Sequence, residues 1–213
     1  HTSVVVGEDQ PEEEVQVESL RAGMDKLVED LNICSQKGLA ERFDATIGSG
    51  TVCMPFGGKY QMTPSQVMAA KIPVLDGETD TASLMAYGYD PELSSLSPYK
   101  GAMAAVIEAM SKLVAAGINP KHAWLSFQEY FGRTGDDPEK WGKPFAALLG
   151  ALKAQAELEV AAIGGKDSMS GTFEDIDVPP TLIAFAVSTA KASQIVTNEW
   201  KAKDHYIYAV MPE

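Results

Sequence analysis

Residues 161–173 read AAIGGKDSMSGTF, and the rest of the chain is arranged around them. The apolar run 160–163 reads as a buried strand that stops at Gly164-Gly165. Lys166, Asp167, Ser168 and Ser170 follow at once. Paired glycines let a backbone turn tightly and approach a ligand with no Cβ in the way. A cation, a carboxylate and two hydroxyls at a strand end lie where open α/β sheets usually bind ligands. The same residues also fit a plain solvated turn. A Walker A loop is excluded, because Val160 stands where its first glycine belongs and Asp167 follows the lysine.

Upstream, Pro144 reads as the start of a helix with Phe145, Leu148, Leu149 and Leu152 inward, feeding that strand. Downstream, TLIAFAVS at 181–188 is apolar enough for a central strand. The run HAWLSFQEYF at 122–131 reads as a core strand or short helix, with His122 structural. Ser97-Pro98 opens a helix whose apolar stripe is Met103, Val106, Ile107, Met110, Leu113 and Val114. Residues 81–89 alternate as a strand, and 205–211 read as a last one. Strands alternating with helices predict an α/β (α+β) domain.

The N-terminal part reads differently. Residues 1–18 are acidic and poor in packing residues, and a helix follows from Ser19 until Lys37-Gly38. We therefore divide the chain into an acidic leader with linker helix, 1–38, and a globular part, 39–213. In the latter, 42–56 is expected to form strands around Gly48-Ser49-Gly50. Thr63-Pro64-Ser65-Gln66 has the pattern of a helix start. The run 72–75 reads as a short strand delivering Asp76, with Glu78 and Asp80 close behind. Carboxylates this close either share a cation or face water.

Composition narrows the function. Net charge is −13 over 213 residues, which repels phosphate backbones and argues against a nucleic-acid partner. No apolar run reaches the ~18 residues of a membrane span, and a cytoplasmic location is expected. Cys34 and Cys53 form no metal-ligand spacing. No Gly-x-Ser-x-Gly elbow is present, and the three histidines are widely spaced. What remains is a set of acids (Asp76, Glu78, Asp80 and the helix residue Glu108) beside a glycine-lysine-aspartate loop. Such parts suit Mg²⁺-nucleotide binding. Glu108 with Lys112 at i+4 equally forms an ordinary surface ion pair.

Five stretches resemble one family: ERFDATIGSG (41–50), PVLDGETDTAS (73–83), GAMAAVIEAMSKLVAAG (101–117), GGKDSMS (164–170) and PPTLIAFAV (179–187). Together they are similar to the large form of phosphoribosylformylglycinamidine synthase. The resemblance implies a mixed sheet backed by helices, the N-terminal-subdomain fold of the aminoimidazole ribonucleotide synthetase superfamily, taken from the second synthetase-like half. It implies part of an ATP-dependent ligase that turns formylglycinamide ribonucleotide and glutamine into the amidine, with no catalytic residue in this segment. It assigns nucleotide contacts to Leu75, Asp76, Gly164, Gly165, Lys166, Asp167 and Ser168, and Mg²⁺ ligands to Asp76 and Glu108, with ATP or ADP bound. An asparagine ligand of the family falls at Lys112, whose ammonium repels a divalent cation. Expected partners are the first half, the following subdomain and a glutaminase domain, or a second copy of the chain. Alternatives are a scaffold half with a degenerate nucleotide site and another ATP-dependent enzyme of the superfamily.

Overall fold

A computed structural model describes residues 18–43 and 50–209. Strands are β1 (Thr51–Cys53), β2 (Phe56–Gly57), β3 (Thr63–Pro64), β4 (Met68–Lys71), β5 (Thr81–Gly88), β6 (Trp124–Tyr130), β7 (Ala162–Lys166), β8 (Thr172–Phe173), β9 (Ile176–Asp177) and β10 (Thr181–Lys191). Helices are α1 (Leu20–Glu29), α2 (Lys37–Phe43), α3 (Pro91–Leu96), α4 (Pro98–Ala115) and α5 (Pro138–Leu158). Six strands form one sheet in the order β1-β4-β5-β10-β6-β7. Every pairing is antiparallel except β6 with β7, which the α5 crossover makes parallel. The expected mixed sheet backed by helices is therefore present.

Strand β10 is central, as its apolar sequence predicts, and residues alternate between its two faces. Leu182, Ala184, Ala186 and Ser188 are buried toward the helices, beside Leu84 and Ala86 of β5 and Leu125 of β6. The buried Ser188 hydroxyl is satisfied by donating to the His122 carbonyl at 2.7 Å. Among the described residues, the opposite face is uncovered. There Met68 pairs with Met85, Met85 with Val187, and Val187 with Trp124, giving an apolar row across four strands. All four side chains are exposed.

Helix α4 starts as predicted, with the Ser97 hydroxyl accepting from the Lys100 amide and Pro98 in the first turn. Its buried face is mostly small: Gly101, Ala102, Ala105, Val106, Ala109, Met110 and Leu113. Ile107 and Val114 are exposed, which narrows the expected stripe. Small residues also decide the contact with α5. A Cβ on Gly150 would lie 2.0 Å from the Tyr99 carbonyl oxygen, so the two helices touch nearly backbone to backbone.

That close approach corrects the reading of α5. The helix begins at Asp137-Pro138, where the Asp137 carboxylate accepts from the Glu139 and Lys140 amides. Pro144 lies inside it. Ala146, Ala147, Ala151 and Ala154 face the core, while Phe145, Leu148, Leu149 and Leu152 are exposed.

Other expectations fail locally. Lys37-Gly38 opens α2 rather than ending a helix. Thr63-Pro64 pairs with Phe56-Gly57 in a hairpin instead of starting a helix. Residues 72–75 form no strand and are exposed, as are 205–209. The leader before residue 18, the turn at 44–49 and the end of the chain lie outside the described residues. Among the described residues, no helix is long and apolar enough to cross a membrane.

Candidate functional site

Strand β7 carries the residues that opened the sequence reading, and its geometry corrects that reading. The glycine pair does not end the strand; β7 runs through it to Lys166. Its parallel register against β6 shifts between Leu125↔Ala162 and Phe127↔Gly165, so one residue bulges out. Ile163 and Gly164 there oppose Ser126 alone, and Gly164 takes φ +144°, a conformation reserved in practice for glycine. Nothing lies within 4 Å of where its Cβ would be. Gly165 is glycine for a different reason, since a Cβ there would meet the Phe127 carbonyl oxygen at 2.5 Å.

The surroundings hold this edge strand in place. The Ala162 amide donates to the Gln155 side chain of α5 at 2.9 Å. Beyond the strand, the Phe131 amide donates to the Ser168 carbonyl and the Gly171 amide to the Phe131 carbonyl. The loop after Lys166 is thus pinned to the end of β6, and the Ser168 and Ser170 hydroxyls bond each other at 2.9 Å.

An open cavity of about 330 Å³ lies over this edge. Gly164, Gly165, Lys166 and Asp167 line it, together with Phe127, Leu148 and a residue absent from the sequence reading, Glu129. Glu129 sits on the helix-facing side of β6 and is only 6% exposed. Among the described residues, no group donates a hydrogen bond to its carboxyl, yet no buried side-chain polar atom lacks a partner, so the carboxyl oxygens reach the solvent of the cavity. Lys166 has no ion-pair partner among them. Burial pushes Glu129 up to about 7, with the Asp167 carboxylate adding to the effect. Its signal in the sequence was an acid inside an aromatic and apolar run.

A second centre lies at the other predicted acids. Glu108 of α4 accepts the Tyr89 amide on one oxygen, at 3.0 Å. Its other oxygen pairs with the Lys112 ammonium at 2.6 Å. That ammonium also donates to the Tyr87 carbonyl at 2.8 Å and lies 4.6 Å from the Tyr87 ring centroid. The ion pair read from the i, i+4 spacing is thus formed. Lys112 fills the place beside Glu108, so these residues as they stand do not fit a magnesium ion there.

The remaining acids do not gather. The Asp80 carboxylate accepts from the Ser193 amide and hydroxyl, and these bonds hold it below the usual carboxylate range. Asp76 and Glu78 are exposed in the 72–80 connection, beside a fully exposed Leu75. Among the described residues, no group of three or more His, Cys, Asp or Glu side chains could hold a metal ion. Both cysteines are free thiols.

No family model matches the sequence. Curated proteins do. The phosphoribosylformylglycinamidine synthase subunit PurL of Picrophilus torridus is 23% identical over 186 residues, which is 86% of this chain and 24% of that protein. The same subunit of Rhodopseudomonas palustris is 27% identical over 158 residues, or 74% of this chain and 19% of that one. The chain thus spans about a quarter or less of the curated relatives it matches. Among solved structures, PurLQS from Thermotoga maritima superposes with a TM-score of 0.64 at 16% identity, covering 92% of this chain and 29% of that one. T. maritima PurL complexed with ADP gives 0.62 at 16% identity, with the same coverage of 92% and 29%. T. maritima PurL complexed with FGAR gives 0.59 at 18% identity, covering 76% and 24%. In sequence and in fold, the chain is similar to one segment of the phosphoribosylformylglycinamidine synthase subunit PurL.

Proposed function

We propose that this chain is a segment of a phosphoribosylformylglycinamidine synthase, the ligase that converts formylglycinamide ribonucleotide and glutamine to the amidine at the expense of ATP. In this reading, residues 39–213 are the N-terminal subdomain of its second synthetase-like half, and 1–38 are leader and linker. The segment lacks a catalytic residue and is inactive alone. Its partners are the first half, the following subdomain and a glutaminase domain, in the cytoplasm.

The observation that carries this reading is the β7 edge. Gly164 leaves a gap in front of the backbone, and Lys166 stands beside it without a counter-ion among the described residues. A phosphate group finds there an ammonium not tied up in an ion pair, and backbone approachable without a Cβ. Gly165, Asp167 and Ser168 complete the contact set, with Leu75 and Asp76 as contacts from the exposed connection. The uncovered apolar row on the sheet is a face for another domain of the parent enzyme or for a second copy. ATP or ADP supplies the phosphate in this reading.

The test is thermal unfolding of the 213-residue chain with ATP and with ADP, each with and without Mg²⁺. A ligand at a hundred times its Kd stabilises by about 2.7 kcal/mol. Loss of that shift in Lys166→Ala is expected. No shift with either nucleotide in a folded chain would remove this reading.

The closed Glu108–Lys112 pair favours a second reading, in which the segment is a scaffold half whose resident magnesium-nucleotide site has degenerated. Lys112→Asn frees the Glu108 carboxylate. If Asp76 and Glu108 are metal ligands of that site, the variant gains Mg²⁺-dependent nucleotide binding. Unchanged affinity would discard them as a ligand pair. A different ATP-dependent enzyme of the same superfamily stays third, since the curated relatives share the PurL name.

A further inference from the structure

Lys166 and Asp167 bring one charge of each sign to the cavity over β7, so they cancel. Glu129 decides what remains. With its proton the cavity is neutral, and without it the cavity carries one negative charge that repels an anion. Glu129 is 94% buried by its 6% exposure, has no donor among the described residues, and lines the cavity. With only the solvent of the cavity to compensate its charge, a carboxyl so placed keeps its proton more readily than a free one.

The neighbouring elements do not relieve it. Across the sheet its register partner on β10 is Leu182. From α5 the residue lining the cavity is Leu148. From β7 and its loop come Lys166 and the like-charged Asp167. A neutral carboxylic acid is a hydrogen-bond donor, and a buried one can serve as such near neutral pH.

We propose that Glu129 is the proton-carrying specificity residue of this cavity, meeting a phosphate-type dianion as the neutral acid and donating its O–H to it. Binding then draws protons from solvent onto Glu129, about half a proton per anion at pH 7 and close to one at pH 8. The inference rests on the reading of the β7 edge as a phosphate site. It adds a residue and a proton that neither the sequence nor the relatives assign.

Sulfate is the suitable probe, because it stays fully ionised where phosphate would itself titrate. Calorimetry of sulfate binding to the 213-residue chain, in buffers of different ionisation enthalpy, counts the protons taken up. With Glu129 titrating near 7, affinity should fall about tenfold between pH 6 and pH 8. Glu129→Gln keeps a neutral donor of the same shape, so its affinity should be flat across that range and proton uptake should vanish. A variant that keeps the tenfold fall overturns the role of Glu129 while leaving the phosphate site standing. Lys166→Ala should weaken sulfate at both pH values with the ratio preserved. If it binds as well as the parent, or if the parent binds no sulfate at all, the phosphate site fails and the inference with it. Should the glutamine variant not fold, the carboxyl carbon resonance of Glu129 in the parent chain decides. Its titration midpoint should rise on saturation with sulfate, and an unmoved midpoint overturns the proposal.

Discussion

The lysine-acid centres at α4 and at β7 are built in opposite ways. At α4 the ammonium of Lys112 is held by a carboxylate, a backbone carbonyl and an aromatic face, and Glu108 uses both oxygens. At β7, Lys166 makes no ion pair and Glu129 receives no hydrogen bond at its carboxyl among the described residues. The first centre is complete within the chain. The second leaves its charge and hydrogen-bonding capacity to solvent, and so open to a ligand that displaces that solvent. Similar residue types read alike in sequence; satisfaction of their bonding capacity separates a structural pair from a candidate site.

The sharpest way to break this contrast is at the backbone of the open centre. Gly165→Ala drives a Cβ to 2.5 Å from the Phe127 carbonyl oxygen, which belongs to the neighbouring strand and cannot rotate away. We expect a loss of about 3 kcal/mol, the upper part of the usual overpacking range, read by denaturant unfolding. Gly164→Ala meets no atom but strains a backbone at φ +144°, so about 2 kcal/mol is expected. If Gly164→Ala proves the costlier, the bulge has been misassigned.

The next effect is a pH dependence. Glu129 has its folded pKa raised from 4.5 to about 7, so the folded state holds the proton more tightly than the unfolded chain. Its contribution is fully present below pH 4.5 and is lost as pH rises through 7. The parent should therefore lose roughly 2 kcal/mol relative to Glu129→Gln across that window, after allowance for solvent in the cavity. Parallel stability curves for the two proteins would show that folding does not raise the Glu129 pKa. At the closed centre, Lys112→Met removes the ion pair and the bond to Tyr87. Because Glu108 is partly exposed, about 1 to 2 kcal/mol is expected, with no effect on sulfate binding. A change in that binding would join the two centres into one site.

How much of this was legible beforehand varies with what the local sequence controls. Helix α4 and strands β5 and β10 were readable because capping and apolar periodicity acted together there. Thr63–Gln66 carries capping-box residues, yet its first two form a strand. There the β4 pairing with β5 and the hairpin with β2 outweigh local preference. The facing of α5 was misread because larger apolar residues were placed inward. Two helices that approach at Gly150 have room only for alanine, so the leucines turn out. At the site, the glycine-lysine-aspartate stretch was visible as a motif. Glu129 was not, because its isolation depends on α5 and β7, which are distant in sequence.

The smallest structural effect tests the contrast most directly. Lys166 is exposed and makes no ion pair among the described residues, so Lys166→Ala should change stability by less than about 0.5 kcal/mol, as a surface substitution does. The same change should abolish the stabilisation that nucleotide confers. A residue whose removal costs the fold nothing and the ligand everything is positioned for the ligand. If Lys166→Ala instead unfolds the chain as readily as Lys112→Met, the ammonium has an internal partner in solution. The open centre would then be a second closed one, and the phosphate reading of β7 would lose its cation.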